Sequence, residues 1–323
     1  MDISITIVNW NRAALLERCL GSIFATARTI GYEVIVVDNA SHDDSVPMVR
    51  TSFPDVRLIV NPTNDGFGSA QNQAMAAARG RYILMLNNDA MVEPGTLPAL
   101  VRVMDEHPEL GACGCPDRRQ SSLGGATSGA FRTFPSLGRT VMENLWAVVH
   151  PPRTWDIGWL ARPLHRWMGE ELTDVDVVNV ALVVAALLVV RREMIVQLGG
   201  FDERFFLFDE DADLCRRIRD AGWVVGFTPR TSFSHQGGAS SALRSDIARV
   251  RGQSRALYFR KHEGRLTAAL SRVQHFVLIR CLLSWRRRLE SLRGELAAGA
   301  DARAVGASRR RRTPESGAPR PAA

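Results

Sequence analysis

The chain has 323 residues, 46% of them hydrophobic and 23% charged, which is enough to bury one large core or two smaller ones. Its formal net charge of +7 does not indicate a nucleic-acid binder, because residues 285–323 hold ten arginines against four acidic residues and leave the rest near neutrality. A nucleic-acid-binding domain carries its basic patch on the folded body, so nucleic acid is not expected as a partner.

Cysteine content and apolar segments predict a cytoplasmic protein. The five cysteines are odd in number and scattered, without a Cys-x-x-Cys pair, which favours a reducing compartment and argues against zinc. The first residues read as a strand and not as a signal peptide. The longest apolar run, 175–190, is interrupted by Asp176 and Asn179 and is shorter than the roughly 20 residues that cross a bilayer. We therefore expect a buried strand there.

The first 106 residues alternate between strand and helix patterns. Strands are predicted at 3–8, 33–37, 56–60 and 81–86, and helices at 13–27, 45–51, 68–78 and 95–106. Repeated βα winding of this kind predicts an α/β fold with a mixed, mostly parallel sheet and flanking helices.

The second half is less regular. Residues 113–170 show no clean period, and either acceptor recognition or loops without a function would explain them. Order returns with a strand predicted at 174–190, helices at 191–198 and 210–221, a strand at 224–227 and a helix at 243–262.

The C-terminal region is basic and amphipathic. Residues 266–296 place apolar side chains among arginines, which is typical either of a helix docked on the domain or in a coiled coil, or of one bound to an anionic membrane surface. The second alternative would put the protein at the inner face of the cell membrane. Residues 300–323 are predicted to be disordered.

An acidic cluster suggests a reactive cleft. Six carboxylates within residues 202–213 flank the apolar run 205–208, and burying them needs a cation, a proton or a hydroxyl partner. A second wall is predicted where the strand ending at Leu86 stops at Asn87-Asn88-Asp89, since the carboxyl end of a strand in an open α/β sheet is where such folds bind ligands.

Two further segments have a functional and a structural interpretation. Asp38 follows the second strand and would accept hydrogen bonds from a nucleobase or ribose, or cap a helix. Residues 61–72 combine Gly66 and Gly68 with amides and would admit a diphosphate or sugar, or simply form a turn. Neither a Gly-x-Gly-x-x-Gly after the first strand nor a P-loop is present, which argues against nicotinamide dehydrogenases and P-loop enzymes.

Six motifs in order resemble the family 2 glycosyltransferases, and their rhamnosyltransferase-like branch in particular. They lie at 5–12, 34–41, 64–72, 86–89, 199–202 and 210–215, within a resemblance that covers roughly residues 3–262. The resemblance implies a GT-A fold, a nucleotide-diphosphate sugar donor, a divalent metal (manganese or magnesium) and inversion at the anomeric carbon.

The resemblance also assigns roles to individual residues. Asp211 would be the catalytic base, with Glu210 beside it, since the acceptor hydroxyl must lose a proton as it attacks. Asp89 and His235 would hold the metal, although Asn87 replaces the first carboxylate of the Asp-x-Asp triplet and a lone His is often structural. The donor would be bound by Asn9, Asn11, Asp38, Asn39, Asn64, Gly66, Phe67, Gly68, Asn72, Asn87 and Asn88.

Two residues are candidates for acceptor binding. These are Asp202 and Trp223; the latter would stack on a sugar face, but a core Trp that closes the preceding helix is the favoured alternative. Asp213 is interpreted either as a neighbour that tunes or orients the base or as a residue of a surface helix.

The sequence thus predicts an inverting glycosyltransferase that moves a hexose or deoxyhexose, first of all rhamnose from its dTDP donor, to a hydroxyl of a glycan or polyprenyl-linked acceptor. A nucleotidyltransferase and a non-catalytic sugar-nucleotide or glycan-binding protein are the alternatives. We expect a glycosyltransferase domain at 1–262, with a nucleotide-sugar half at 1–110 and an acceptor half at 111–240. A helical extension at 263–299 and the tail at 300–323 would follow.

Overall fold

The computed structural model describes residues 1–26, 29–121, 131–140, 176–236 and 246–277. The strands are β1 (Ile3–Asn9), β2 (Tyr32–Asn39), β3 (Arg57–Asn61), β4 (Tyr82–Leu86), β5 (Ala90–Val92), β6 (Leu110–Gly114), β7 (Phe131–Arg132), β8 (Val178–Asn179), β9 (Leu182–Val183), β10 (Leu187–Arg191), β11 (Val224–Phe227) and β12 (Phe233–His235). The helices are α1 (Ala13–Thr26), α2 (Ser45–Ser52), α3 (Phe67–Ala77), α4 (Thr96–Glu106), α5 (Arg118–Ser121), α6 (Arg192–Leu198), α7 (Glu210–Asp220), α8 (Ile247–His262) and α9 (265–277).

The main sheet has eight strands in the order β3-β2-β1-β4-β10-β6-β11-β8. Strands β1 to β4 are parallel to one another, and β6 is parallel to β11, whereas β10 runs antiparallel to both β4 and β6 between them. The prediction of a mixed, mostly parallel sheet is confirmed.

The single strand predicted at 174–190 is wrong. Within the described part of that run, β8 pairs with β11, β9 leaves the main sheet to pair with β7, and only β10 enters the sheet beside β4. A turn at Ala185-Ala186 separates β9 from β10. Every residue from 180 to 190 is Val, Leu or Ala, so hydrophobicity alone does not mark the break between β9 and β10.

Alternating strand residues build a core on each face of the sheet. Ile3, Ile5 and Ile7 of β1 pack on the face covered by α1 and α4. On the other face, Ile35 and Met85 pack in the core that includes residues of α3, α6 and α7. Of the helices that the structure describes, none is both long and apolar enough to cross a bilayer.

Polar residues gather where the parallel strands end. The register places Asn9 opposite Asp38 and Asn39 opposite Asn61, and the Asn87–Asp89 triplet follows the end of β4. Because the carboxyl ends of parallel strands meet at one edge, these side chains share that edge of the sheet.

A late segment of the chain covers the start of α3. The amide of Phe67 donates to the carbonyl of Phe206 at 2.8 Å. Gly66, with φ 97° and ψ 173°, adopts a backbone conformation that is essentially restricted to glycine. A Cβ at this position would lie 2.6 Å from the Phe206 oxygen. The glycine is therefore required both by its dihedral angles and by close packing.

We predict that Gly66→Ala destabilises the protein by about 2–4 kcal/mol, because it combines backbone strain with a backbone clash. The matched control is Gly95→Ala at the start of α4, where φ is also positive, at 84°, but nothing lies within 4 Å of the added Cβ. That variant should lose only about 1 kcal/mol. Urea unfolding of both variants measures the difference, and equal losses would show that the contact with Phe206 contributes nothing.

Candidate active site

A buried chain of side chains links three strand ends. The Asn88 amide donates to Asn9 Oδ1 at 2.8 Å, and the Asn9 amide donates to Asp38 Oδ2 at 2.9 Å. The other Asp38 oxygen accepts from the amide of Ser41 at 2.8 Å. Asn9, Asp38 and Asn88 are all buried. Asp38 thus holds the loop after β2, where Ala40 has a positive φ of 60°, and its contact with a nucleotide stays a prediction.

A second network joins the ends of β2 and β3 to the loop before α3. Asn61 donates to Asn39 Oδ1 at 2.9 Å, and Asn39 donates to the Gly66 carbonyl at 3.0 Å. Asn64 Oδ1 accepts from the Gly66 amide at 3.1 Å. At the end of β1, Asn11 has a φ of 51° and accepts from the His42 amide at 2.7 Å. Strained non-glycine backbone of this kind is concentrated at functional sites.

Three of the predicted donor-binding residues contact the 199–206 segment. Asn72 accepts from the Phe201 amide at 2.8 Å and donates to the Phe201 carbonyl at 3.0 Å. The ring of Phe67 packs edge-on against Phe201, with centroids 5.9 Å apart, and a Cβ on Gly68 would lie 3.2 Å from the same residue. Phe67, Gly68 and Asn72 therefore position the 199–206 segment, and their contact with a donor stays a prediction.

Asp89 and His235 meet although 146 positions separate them in the chain. Strand β12 pairs with β5, which places His235 opposite Ala90, next to the Asn87–Asp89 triplet. His235 Nε2 lies 3.0 Å from Asp89 Oδ1 and 3.4 Å from Asn87 Nδ2. The structure thus brings together the two residues that the sequence analysis proposed as metal ligands.

The chemistry of this pair fits a divalent metal. A carboxylate oxygen and an imidazole nitrogen are a mixed donor set suited to manganese, and magnesium typically takes only one or two protein carboxylates with substrate phosphates and water completing its shell. In the described ranges, no three or more His, Cys, Asp and Glu side chains form a cluster that would hold a metal. Asp89 and His235 would therefore share the ion with the ligand.

Asp211 reaches the same edge through a turn. The amide of Ala185 donates to Asp211 Oδ2 at 3.4 Å, and the carbonyl of the adjacent Ala186 accepts from the Asn87 amide at 3.0 Å. The turn before β10 thus contacts both the predicted base and the predicted metal triplet. This turn was missed by the sequence analysis, because nothing local distinguishes two alanines in an apolar run.

Glu210 occupies a different environment from its neighbour. It is buried, and its Oε2 atom has no hydrogen-bond partner among the described residues. Burial raises the pKa of Glu210 well above its ordinary range, and the charge of Asp211 raises it further. A protonated Glu210 would leave Asp211 as the carboxylate able to accept a proton.

Asp209, directly before α7, is held by a residue that the sequence analysis did not select. Arg255 of α8 donates to both carboxylate oxygens of Asp209, at 2.8 and 3.1 Å. Phe208 and Asp209 both have positive φ, 72° and 60°, and Arg251 lies over the Phe208 ring at 4.6 Å. Helix α8 therefore clamps a strained turn two residues before Asp211.

Asp213 and Asp202 belong to a second ionic cluster. Asp213 is fully buried, with Arg217 at 2.9 Å, Lys261 at 2.7 Å and His262 at 2.8 Å. Asp213 is thus a structural ion-pair centre that ties α7 to α8, which corrects the surface-helix interpretation. Asp202 bonds Lys261 at 2.8 Å and also pairs with Arg204, and the pKa of Asp202 is lowered chiefly by the Arg204 hydrogen bond. These cations occupy the carboxylate that was predicted to bind the acceptor.

Trp223 lies away from the other predicted site residues. Trp223 precedes β11 next to Gly111, at the amino end of β6, whereas the site lies at the carboxyl ends. Its indole nitrogen donates to Gln197 at 3.1 Å, and Arg191 lies over its ring at 6.0 Å. Trp223 packs partly buried against the core after α7, and its contact with an acceptor stays a prediction.

The buried Glu210 predicts a dependence of stability on pH. Because the pKa of Glu210 in the folded chain lies above its value in the unfolded chain, its contribution to stability is fully present below about pH 4.3 and is lost as the pH rises through the raised pKa. Glu210→Gln should therefore lose less stability than the wild type between pH 5 and pH 8, as measured by urea unfolding. Glu17→Gln, at an exposed position of α1, is the control, and parallel curves for wild type and Glu210→Gln would contradict the prediction.

Comparisons with known proteins agree with this architecture. The profile of the family Glycosyl transferase family 2 matches residues 4–161. An N-acetylglucosaminyl-diphospho-decaprenol L-rhamnosyltransferase of Mycobacterium tuberculosis is 29% identical over 243 residues, which cover 72% of this chain and 75% of that protein. The O-antigen biosynthesis protein RfbC of Myxococcus xanthus is 28% identical over 248 residues, which cover 74% of this chain and 17% of that protein.

Two solved structures share the fold. A mannosyltransferase from Pyrobaculum calidifontis, in complex with GDP-Man and Mn2+, superposes with a TM-score of 0.52 at 18% identity, over 94% of this chain and 80% of that one. GalNAc-T7 with UDP, GalNAc and Mn2+ gives a TM-score of 0.53 at 14% identity, over 73% of this chain and 44% of that one. The chain has the GT-A fold of these enzymes, its residues 4–161 match glycosyltransferase family 2, and the chain is similar to the rhamnosyltransferase-like branch of that family.

Proposed function

We propose that this glycosyltransferase transfers a sugar from a nucleotide-diphosphate donor to a hydroxyl of a polyprenyl-diphosphate-linked glycan, with inversion at the anomeric carbon. Rhamnose from dTDP-rhamnose is the donor we favour, because the Mycobacterium tuberculosis relative is named as an L-rhamnosyltransferase that acts on a decaprenol-linked N-acetylglucosamine. A sugar on a lipid diphosphate is accordingly the acceptor we favour.

The observation that carries this proposal is the turn shared by the two halves of the site. Asp211 contacts Ala185, while Ala186 contacts Asn87, so the predicted base lies beside the predicted metal triplet. In the reaction, Asp211 would accept the proton of the acceptor hydroxyl as its oxygen attacks the anomeric carbon. The bond from that carbon to the diphosphate breaks on the opposite face, and this geometry inverts the configuration.

Asp89 and His235 would hold the divalent metal. When bound, manganese or magnesium would neutralise the negative charge that builds up on the departing diphosphate. The buried amides at the ends of β1, β2 and β4 would keep the donor pocket rigid, since each is fixed by a hydrogen bond to its neighbour. The protein residues therefore position the groups, and the proton goes to Asp211.

Two alternatives remain testable. A nucleotidyltransferase would release inorganic diphosphate from a nucleoside triphosphate, whereas a glycosyltransferase releases a nucleoside diphosphate. A non-catalytic binding protein is suggested by Asn87, which removes one carboxylate from the metal triplet. Release of nucleoside diphosphate that depends on Asp211 would exclude both alternatives.

Replacement of the predicted base, Asp211, tests the proposed reaction. With dTDP-rhamnose, a UDP- and GDP-sugar panel, manganese or magnesium, and a polyprenyl-linked acceptor, the wild type should release nucleoside diphosphate from one donor. Asp211→Asn should lower that turnover by about 10²–10⁴-fold, because the general base is lost. Binding of the donor, measured by calorimetry, should be retained. Asp220→Asn, at the exposed end of the same helix, is the matched control and should stay active.

The outcomes separate the proposals. Full activity of Asp211→Asn would exclude Asp211 as the base. Donor binding without release in the wild type, with every acceptor, would favour the binding protein, and diphosphate released from nucleoside triphosphates would favour the nucleotidyltransferase.

Arg255 is predicted to be a positioning residue for Asp211. Arg255→Ala should lower kcat by about 10- to 100-fold with little change in the KM for donor, because a small displacement of the turn at Asp209 moves Asp211. Arg255→Lys keeps the charge but not the bidentate fork and should be intermediate. Arg249→Ala on the same helix, where Arg249 pairs with Asp246, is the control. A loss that appears only in KM, or only in the free energy of unfolding, would show that the clamp does not position the base.

A further inference from the structure

The outer face of α9 carries an exposed apolar stripe. Of the eight large hydrophobic side chains that are exposed in the described residues, five lie on this helix, with exposures from 48% to 75%. They are Leu266, Leu270, Val273, Phe276 and Val277. The spacing of four, three and four residues from Leu266 to Val277 places four of them along one line of the helix surface. Such a continuous apolar line is characteristic of a contact surface.

The opposite face of α9 packs on the domain. Ala268 and Ser271 are buried, and a Cβ on Gly252 of α8 would collide with the ring of His275. The helix therefore folds back along α8, and its stripe faces away from the body of the protein.

Helix α9 runs along α8 towards the residues of α8 that contact the turn before Asp211. His275 lies against Gly252, which is next to Arg251, and Arg251 lies over Phe208 in the clamped turn before Asp211. The C-terminal end of α9 thus lies at the level along α8 at which Arg251 contacts the turn before Asp211. A surface that held the stripe would lie near this end of α8.

Charge selects the partner of the stripe. Residues 265–277 contain no carboxylate, and Arg265 and Arg272 are exposed beside the stripe. Residues 278–323 hold eleven arginines against four acidic residues, which accounts for the entire net charge of +7. A second copy of α9, or the chain's own C-terminal segment, would bring like charges together. An anionic lipid surface supplies both an apolar layer and the opposite charge.

We infer that α9 docks on an anionic bilayer through this stripe, with Arg265 and Arg272 beside it bound to lipid headgroups. The inference deepens the proposed function, on which its biological meaning rests, because it would hold the catalytic edge at the membrane that contains a polyprenyl-linked acceptor. Binding itself does not require turnover, so its test stands apart from the test of transfer.

The test is flotation of the full chain with phosphatidylcholine vesicles that do or do not contain phosphatidylglycerol. The wild type should float with the anionic vesicles and much less with the neutral ones. Leu270→Asp combined with Val273→Asp should lower partition to anionic vesicles about tenfold or more, because apolar contact is lost and negative charge is added. Val196→Asp, at a 76% exposed position of α6, is the matched control and should float like the wild type.

The outcomes distinguish the stripe from the tail and from other occupants. Repeating the flotation in high salt screens the arginines, and the difference between the double variant and wild type should persist because apolar burial is not screened. Flotation of the double variant equal to that of the wild type would overturn the inference. A dimer of the wild type that dissociates in the double variant, as seen by light scattering, would overturn it in favour of a second copy. If vesicle binding is confirmed while no donor is turned over, the proposed function fails and the docking surface stands.

Discussion

The antiparallel strand β10 is the constraint on which the site depends. Because it enters the sheet between β4 and β6, the turn before it lies where β4 ends. In that turn, the Ala185 amide donates a hydrogen bond to Asp211, and the Ala186 carbonyl accepts one from the Asn87 amide. Without the reversed strand, this turn would not bridge the two residues. The reversed strand therefore joins the predicted nucleotide-sugar half of the chain to the segment that holds the predicted base, Asp211.

The acidic cluster at 202–213 divides into residues with different tasks. Asp202 and Asp213 share Lys261, and Asp209 is held by Arg255, so three of the carboxylates attach α8 to the segment around α7. Glu210 is buried with a raised pKa. The turn at Phe208 and Asp209 has a strained backbone, and the hydrogen bonds from Arg255 of α8 stabilise it. Half of the six carboxylates thus stabilise the structure that positions Asp211.

The sequence predicts the regular part of the fold and the residue types of the site. Short apolar and β-branched runs located β1 to β4, because the strands are covered by a core on each face of the sheet. The pairing of Asp89 with His235 was expected from the family resemblance and is observed at 3.0 Å. By contrast, the breaks at 184–186 and the Arg255 clamp depend on contacts between distant segments, which no local pattern encodes. The role of Trp223 was ambiguous for the same reason, because the local sequence is the same whether the side chain stacks on a sugar or packs against the core.

The central claim is that Asp89 and His235 hold a metal beside the base. The most direct measurement is a crystal structure of the protein grown with manganese and a nucleoside diphosphate, with an anomalous difference map collected at the manganese edge. The account predicts a peak within coordination distance of Asp89 and His235, with the diphosphate on it and Asp211 facing the same cavity. A nucleotide bound at the carboxyl edge without a peak there, or a peak at another place in the fold, would contradict it.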